Sequence, residues 1–414
     1  MLRGSAAVPG DKSISHRALI LAALAVGRSR IAGLNPGADV AATAAALRAM
    51  GARIEAEGDG AWTVDGVGVG GLLQPEAPLA LGNSGTSARL LAGLIAAHPI
   101  RAELTGDASL SARPMARVAA PLRRIGARIL GDRLPLTIEG LYPLVPARHR
   151  LDFPSAQVKS ALLLAALNTP GVTEVVEAAP TRDHSERMLS LFGAQIEVDG
   201  PRIALRGEAA IRPQHLSIPG DPSAAAFLAV AALIVPGSEV RIEGMGVNPT
   251  RMGLYEILAE MGADIAFSGP RTLSGEPVAD IVVRHGPLRG VDVPAGIAPR
   301  MIDDYPALTV AAAFAAGTTR MRGLAELRLK ESDRIAAMAP LGAREDGDGL
   351  SIAGSGGAPL AGGFSVDARH DHRVAMAYAV AGLRSREPIG VAGMDSARTS
   401  FPGFAAALAG LAAS

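Results

Sequence analysis

Six runs in this chain are apolar on nearly every face: ALILAALA (18–25), ARLLAGLIAA (88–97), ALLLAALN (161–168), AAFLAVAALI (225–234), ALTVAAAFAAG (307–317) and VAMAYAVAGL (374–383). A helix with no polar stripe belongs in an interior, so sheets are expected to pack around these six. Each run follows a polar loop and leads through a turn into an alternating strand, as at Ser29–Gly33 and Glu239–Glu243. Between the runs a second phrase recurs, an amphipathic helix ending in apolar–Gly–Ala. It stands at Met50-Gly51-Ala52, Ile125-Gly126-Ala127, Phe192-Gly193-Ala194, Met261-Gly262-Ala263 and Leu341-Gly342-Ala343. Each Gly suits a helix C-cap, where a left-handed backbone is needed. Strands such as Ala61–Asp65 and Arg202–Arg206 follow. The pattern predicts an α/β (α+β) chain of six βαβαββ-like units of roughly 70 residues each, the last truncated.

The first apolar run has a polar entrance, PGDKSISHR, at residues 9–17. Pro9 and Gly10 mark the start of the helix, and Ser13 or Ser15 is the expected N-cap. Free N–H groups, the positive end of the helix dipole, Lys12 and Arg17 together make an anion site. Pro-Gly-Asp recurs at Pro219-Gly220-Asp221. Chain crossings placed at these two junctions give one domain over 12–217 and a second combining 1–11 with 218–414. With three units about a pseudo-threefold in each domain, the polar helix entrances converge.

Bulk properties narrow the function classes. The 414 residues carry 40 Lys+Arg against 40 Asp+Glu, and aromatics are 3%. A nucleic-acid binder would be basic, and a single-strand binder would need aromatic platforms. Cys is 0, which excludes disulfides, thiolate metal sites and a cysteine nucleophile. No secretory h-region and no uncharged run of membrane-spanning length is visible, so a soluble cytoplasmic protein is expected. Nothing in the chain suggests assembly, so a monomer is expected.

The polar loops carry the candidate chemistry. GDKSISHR, GNSGT (82–86), RPM (113–115), SAQVK (155–159), RDHSE (182–186), NPTR (248–251), LKESDR (329–334) and DHR (371–373) stand in this order. The ordered set resembles the 5-enolpyruvylshikimate-3-phosphate synthases along nearly the whole chain. GDKS, SAQVK, RDHSE and NPTR resemble that family's second sequence class. The resemblance implies the two-domain enolpyruvyl transferase fold, three units per domain, closing on shikimate 3-phosphate and phosphoenolpyruvate in an interdomain cleft. It implies formation of 5-enolpyruvylshikimate 3-phosphate and phosphate, on the route to chorismate and the aromatic amino acids, with no cofactor and no metal.

Both substrates are anions, with two phosphates and two carboxylates between them. Charge-assisted contacts, worth about 1.5–3 kcal/mol each, are the strong way to hold them. The resemblance places shikimate 3-phosphate on Lys12, Ser13, Arg17, Ser155, Gln157, Arg182, Asp303 and Lys330. It places phosphoenolpyruvate on Lys12, Gly85, Arg113, Gln157, Arg334 and Arg373. The reaction adds the 5-hydroxyl to C2 of phosphoenolpyruvate, protonates C3 and expels phosphate, so it needs a base, an acid and cations. Asp303 is the candidate base, Glu331 the proton carrier at the methylene, and Lys12 the donor to the leaving phosphate. The resemblance also implies that glyphosate, a phosphonate, occupies the phosphoenolpyruvate site beside Gly85. Thr399 stands where many members have Lys, beside Arg398, and Ala156 where the first class has a second Ser.

The same residues have plainer readings. Asp303 and Asp304 suit a cap for the helix at 307–316. Lys330, Glu331, Asp333 and Arg334 suit a solvated helix face. His16, His184 and His372 fall in loops, away from metal-ligand spacing. Two rival functions share the pattern. UDP-N-acetylglucosamine enolpyruvyl transferase has the same expected fold, but its usual acid is a Cys. A non-catalytic anion-binding scaffold would have no need for Lys12, Arg113, Asp303, Glu331 and Arg334 together.

Overall fold

A computed structural model describes residues 1–58 and 60–413. The six apolar runs are helices, and we label them in chain order: α1 (Lys12–Leu24), α2 (Gly85–Ala96), α3 (Ala156–Leu167), α4 (Pro222–Ile234), α5 (Tyr305–Phe314) and α6 (His372–Gly382). Every residue of α4 is buried, and so is every residue of α5. No helix among the described residues is long and apolar enough to cross a membrane.

The chain divides into two compact units, Gly10–Ile218 with Leu273–Glu276, and Met1–Pro9 with Pro219–Thr272 and Pro277–Ser414. Within the first, α1, α2 and α3 pack together, and within the second α4, α5 and α6 do. Backbones come very close in the first trio. A Cβ added at Gly93 of α2 would lie 2.1 Å from the carbonyl oxygen of Ala161 in α3, which leaves room only for hydrogen.

One sheet is built per repeat: five of four strands and one of two among the described residues. The repeat containing α2 shows the rule. Leu79–Ala80 runs parallel to Arg101–Thr105, with α2 as the crossover that a parallel pair requires. Leu136–Glu139 then pairs antiparallel with Arg101–Thr105, and Arg128–Leu130 pairs antiparallel with Leu136–Glu139. The repeats around α3 and α5 copy this order. The repeat around α6 keeps only Ser365–Asp367 parallel to Gly390–Ala392, the truncation expected. The repeats around α1 and α4 exchange their first strands. Arg3–Ala6 precedes α1 but pairs with Glu239–Gly246, and His215–Ser217 precedes α4 but pairs with Val26–Ala32.

All five Gly–Ala phrases end helices as expected. Gly51, Gly126, Gly193, Gly262 and Gly342 have φ of 101°, 116°, 87°, 91° and 87°. In the first four the following Ala N–H returns to a carbonyl five residues back, for example Ala194 to Leu189 at 2.9 Å, the Schellman closure.

The helix entrances differ from expectation in detail. The N-cap of α1 is Asp11, whose carboxylate accepts from the Ile14 N–H at 2.9 Å, and not Ser13 or Ser15. The helix starts at Lys12, so both serines already lie inside it; Ser15 instead accepts from the Asn35 N–H at 3.0 Å. Ser84, Ser155, Asp221 and Asp371 cap α2, α3, α4 and α6 in the same way. Asp304 precedes α5 but makes no side-chain cap bond, so neither it nor Asp303 is there for capping. His16, His184 and His372 are all helical and buried rather than in loops.

Candidate active site

In the 10–218 unit three helix entrances and two loops carry the expected ligands. Lys12 opens α1, and its ammonium lies 3.0 Å from the Asp39 carboxylate. Ser13 follows it at the half-buried rim. Gly85 is the first residue of α2, and a Cβ built on it would lie 3.1 Å from a terminal nitrogen of Arg113 and 2.7 Å from one of Arg89. Arg113 closes the short helix Ala108–Ala112 and donates to the Asn83 side-chain oxygen and, at 3.2 Å, to the Ser109 hydroxyl. Its guanidinium therefore lies against the GNSGT loop. Ser155 caps α3, and two residues on Gln157 donates to the Thr86 hydroxyl at 3.0 Å, tying the α3 entrance to that of α2.

A buried polar chain joins α1 to α2. His16 Nδ1 lies 2.7 Å from Thr43 Oγ1, which lies 2.7 Å from Ser87 Oγ, which lies 2.6 Å from the capping Ser84 Oγ. Burial, then Lys12 and Arg17, hold the His16 pKa well below its ordinary value. The unfolded chain therefore takes up a proton that the folded chain refuses as pH falls through about 6.5. The sign is loss of stability with acid, up to about 1.4 kcal/mol from this residue between pH 7.5 and 5.5. His16→Gln keeps a polar partner for Thr43 and cannot titrate. Urea unfolding at the two pH values is expected to show a difference smaller by about that amount in the variant; equal differences would mean that His16 charges in the native state.

Arg17 lies inside the 10–218 unit. Only 4% exposed, it donates to Ser185 Oγ (2.7 Å), Ser160 Oγ (2.6 Å) and the Ser13 carbonyl (2.8 Å). Burial pushes its pKa down to about 10, so it stays cationic at neutral pH. Arg182 is half-buried in the loop between Thr181 and His184.

In the 219–414 unit the expected residues gather on one guanidinium. Arg334, 1% exposed, meets Asp371 at 2.8 Å, Glu331 at 2.6 Å and Asp303 at 3.3 Å. Burial opposes its charge, but Asp371, Glu331 and Asp303 outweigh burial and hold its pKa above the ordinary value. Asp303 also meets Lys330 at 3.1 Å. Asp303 and Glu331 keep 17% and 16% of their side-chain surface exposed, enough for a substrate to reach them. The LKESDR stretch is thus no solvated helix face; its helix is only Arg334–Ala337, capped by Asp333. Arg373, at the start of α6, lies 3.5 Å from the buried Asp304, whose carboxyl pKa is raised by burial although Arg373 and Arg251 lower it. Arg251 of NPTR holds the start of α4, donating to Asp221 (3.1 Å) and Ser223 (2.9 Å).

Sequence reasoning gave no role to Asp39, Thr86, Asp371 or Lys159. Only Lys159 carried a signal, as a lone charge inside the apolar body of α3. At the departing positions, Thr399 donates to the Ser396 carbonyl at 2.8 Å, and Ala156 is the first residue of α3.

Comparison with known proteins decides the family. The family model of EPSP synthase (3-phosphoshikimate 1-carboxyvinyltransferase) matches residues 1–408. The chain belongs to the EPSP synthase family. A 3-phosphoshikimate 1-carboxyvinyltransferase of Sphingopyxis alaskensis is 57% identical, over 99% of this chain and 96% of that protein. One from Zymomonas mobilis is 54% identical, over 97% and 92%. The solved EPSP synthase of Acinetobacter baumannii is 43% identical with a TM-score of 0.87, over 99% of this chain and 96% of that one. The enolpyruvyl transferase NikO of Streptomyces tendae, 21% identical with a TM-score of 0.80, shares the fold. The EPSP synthase family therefore accounts for the whole repeat architecture, and this chain is an enzyme of the transferase class.

Proposed function

We propose that the chain transfers the enolpyruvyl group of phosphoenolpyruvate to the 5-hydroxyl of shikimate 3-phosphate, using residues of both units. The observation that supports this best is the pair of partly exposed carboxylates, Asp303 and Glu331, held on one buried guanidinium, that of Arg334. A plain anion-binding scaffold has no use for carboxylates at an anion site, whereas an addition–elimination needs both a proton acceptor and a proton carrier.

In this reading Lys12, Ser13, Arg17, Ser155, Gln157, Arg182, Asp303 and Lys330 hold shikimate 3-phosphate. Arg17 also donates to the Ser13 carbonyl and lies within hydrogen-bond distance of the Ser160 and Ser185 hydroxyls. Lys12, the Gly85 backbone, Arg113, Gln157, Arg334 and Arg373 take phosphoenolpyruvate. Asp303 accepts the 5-hydroxyl proton as that oxygen bonds to C2. Glu331 delivers a proton to C3, so the methylene becomes a methyl group. In the second half phosphate leaves C2, Lys12 donates to it, and Glu331 takes a proton back from the methyl. Arg334 is already occupied by carboxylates, so the phosphoenolpyruvate carboxylate reaches it only by displacing one of them. Displaced from the guanidinium, Glu331 takes up a proton from solvent and enters the addition as the neutral acid, while the proton that Asp303 accepts is lost to solvent and Lys12 regains its own there after phosphate leaves.

Phosphate release from phosphoenolpyruvate, measured with shikimate 3-phosphate and separately with UDP-N-acetylglucosamine, tests the assignment. Turnover with the first acceptor alone is expected. Turnover with the second, or with neither, would refute it.

The wall at Gly85 carries a further expectation. The Ala methyl of Gly85→Ala would press on the tips of Arg89 and Arg113, the far ends of two flexible side chains, which would have to give way. Glyphosate is longer than phosphoenolpyruvate and tolerates a narrowed pocket less. Its inhibition constant against phosphoenolpyruvate is expected to rise about tenfold or more, and the substrate's KM less. An unchanged inhibition constant would place the discriminating wall elsewhere.

A further inference from the structure

Lys159 is fully buried in the second turn of α3. Its ammonium meets Glu177 at 2.9 Å and Glu186 at 2.6 Å. These two carboxylates bracket the segment that carries Arg182. At its near end the Thr181 hydroxyl donates to Glu177 Oε1. At its far end Glu186 begins the turn after Ser185, whose hydroxyl lies 2.7 Å from Ser160, the residue following Lys159. Two successive residues of α3 therefore fasten both ends of a loop whose middle is Arg182.

We infer that Lys159 is a positioning residue that holds the Arg182 loop in the geometry that binds shikimate 3-phosphate. The inference rests on the reading of Arg182 as a shikimate 3-phosphate ligand. Stability alone does not explain the arrangement. A buried ion triad spends most of its Coulombic attraction on desolvation, and apolar residues of the same volume commonly serve as well. The triad is also imperfect, since Glu186 Oε2 finds no hydrogen-bond partner among the described residues. Burial raises the Glu186 pKa, although Lys159 lowers it. What the triad supplies that leucines could not is a directional link from one ammonium to the two ends of one loop. The same helix presents Ser155 and Gln157 one turn earlier. One rigid element thus sets the spacing between the α3 entrance and Arg182.

The test is steady-state kinetics on the full chain with each substrate varied in turn, for wild type, Lys159→Met and Thr181→Val. Lys159→Met is expected to raise the KM for shikimate 3-phosphate at least tenfold, leaving the phosphoenolpyruvate KM within twofold and kcat within threefold. Thr181→Val cuts only the hydroxyl link to Glu177 and should raise the same KM about threefold. A structural role would instead lower the amount of active enzyme without splitting the two KM values. Lys159→Met leaves two buried carboxylates without their cation, so if it yields no folded protein, Thr181→Val decides. An unchanged shikimate 3-phosphate KM in Thr181→Val overturns the inference, as does a Lys159→Met enzyme in which both KM values move together. Wild-type turnover in the same assay separates the two ideas: its absence would refute the functional reading, not the positioning role.

Discussion

Glu331→Gln is expected to reduce kcat by about 10²–10⁴-fold while changing the KM for shikimate 3-phosphate less than threefold. The substitution keeps the length and a hydrogen-bonding oxygen for Arg334, which retains Asp371 and Asp303 as counter-charges. The fold and the guanidinium should therefore stay in place, and only the ability to carry a proton is lost. An alternative role for Glu331 is to balance the charge of Arg334. In that case the variant would change the phosphoenolpyruvate KM, because an under-balanced guanidinium grips a carboxylate more tightly, and would leave kcat near wild type. Single-turnover and steady-state kinetics across both substrates distinguish the two outcomes. Asp303→Asn should also lower kcat strongly, but with a larger effect on binding, because Asp303 meets both Lys330 and Arg334.

How much of this cluster was visible beforehand depends on the distance over which each contact acts. The six buried helices and the five Gly–Ala caps are local features. An apolar face or a left-handed turn is written in adjacent residues, so the repeat architecture could be read from the chain alone. The N-cap of α1 turned on a shift of two residues between Asp11 and Ser13, a scale on which several side chains compete for the same N–H group. The long-range pairs left no trace. Nothing in LKESDR says that Asp371, in a different motif, holds Arg334 at 2.8 Å. Nothing in SAQVK says that Lys159 meets Glu177 and Glu186. Asp303, the candidate base, had a plainer reading as a cap because Asp commonly is one, and nothing near it in sequence says that its carboxylate meets Lys330 at 3.1 Å and Arg334 at 3.3 Å. Arg17 stood in a motif rich in ligands, and α1 places it one turn after Ser13, beside Ser160 and Ser185.

Arg334→Met is expected to cost the fold about 3–5 kcal/mol and to abolish measurable turnover. Arg334 is among the largest fully buried side chains. Methionine fills part of its volume but leaves Asp371, Glu331 and Asp303 facing one another with one cation, Lys330, still at Asp303. Asp371 suffers most, since it is completely buried and also accepts from the Arg373 N–H at 3.0 Å to cap α6. Arg334→Lys gives the informative comparison. It restores the charge as a compact ammonium that cannot fork across three carboxylates, so stability should recover by more than half while turnover stays low. Urea unfolding and phosphate release on the three proteins check this. Full activity in the lysine enzyme would show that charge, not the planar fork, is what the site needs.

The exchange of first strands around α1 and α4 has a consequence for biogenesis. The 10–218 segment is nearly uninterrupted in sequence, with its sheet partner His215–Ser217 at its own end. On the ribosome it can collapse as soon as that end emerges. Arg3–Ala6, made before the 10–218 segment, has no sheet partner until Glu239–Gly246 has been synthesised, and it also packs on the helix Phe404–Ala413. This strand thus finds its place only after the first unit can close, held unpaired meanwhile. Rewiring the order of synthesis, by joining the helix Phe404–Ala413 to the strand Arg3–Ala6 through a linker and opening the chain at Pro9–Gly10, would make the second unit continuous apart from Leu273–Glu276. Such a permutant should refold to the same architecture with a shorter wait for that strand.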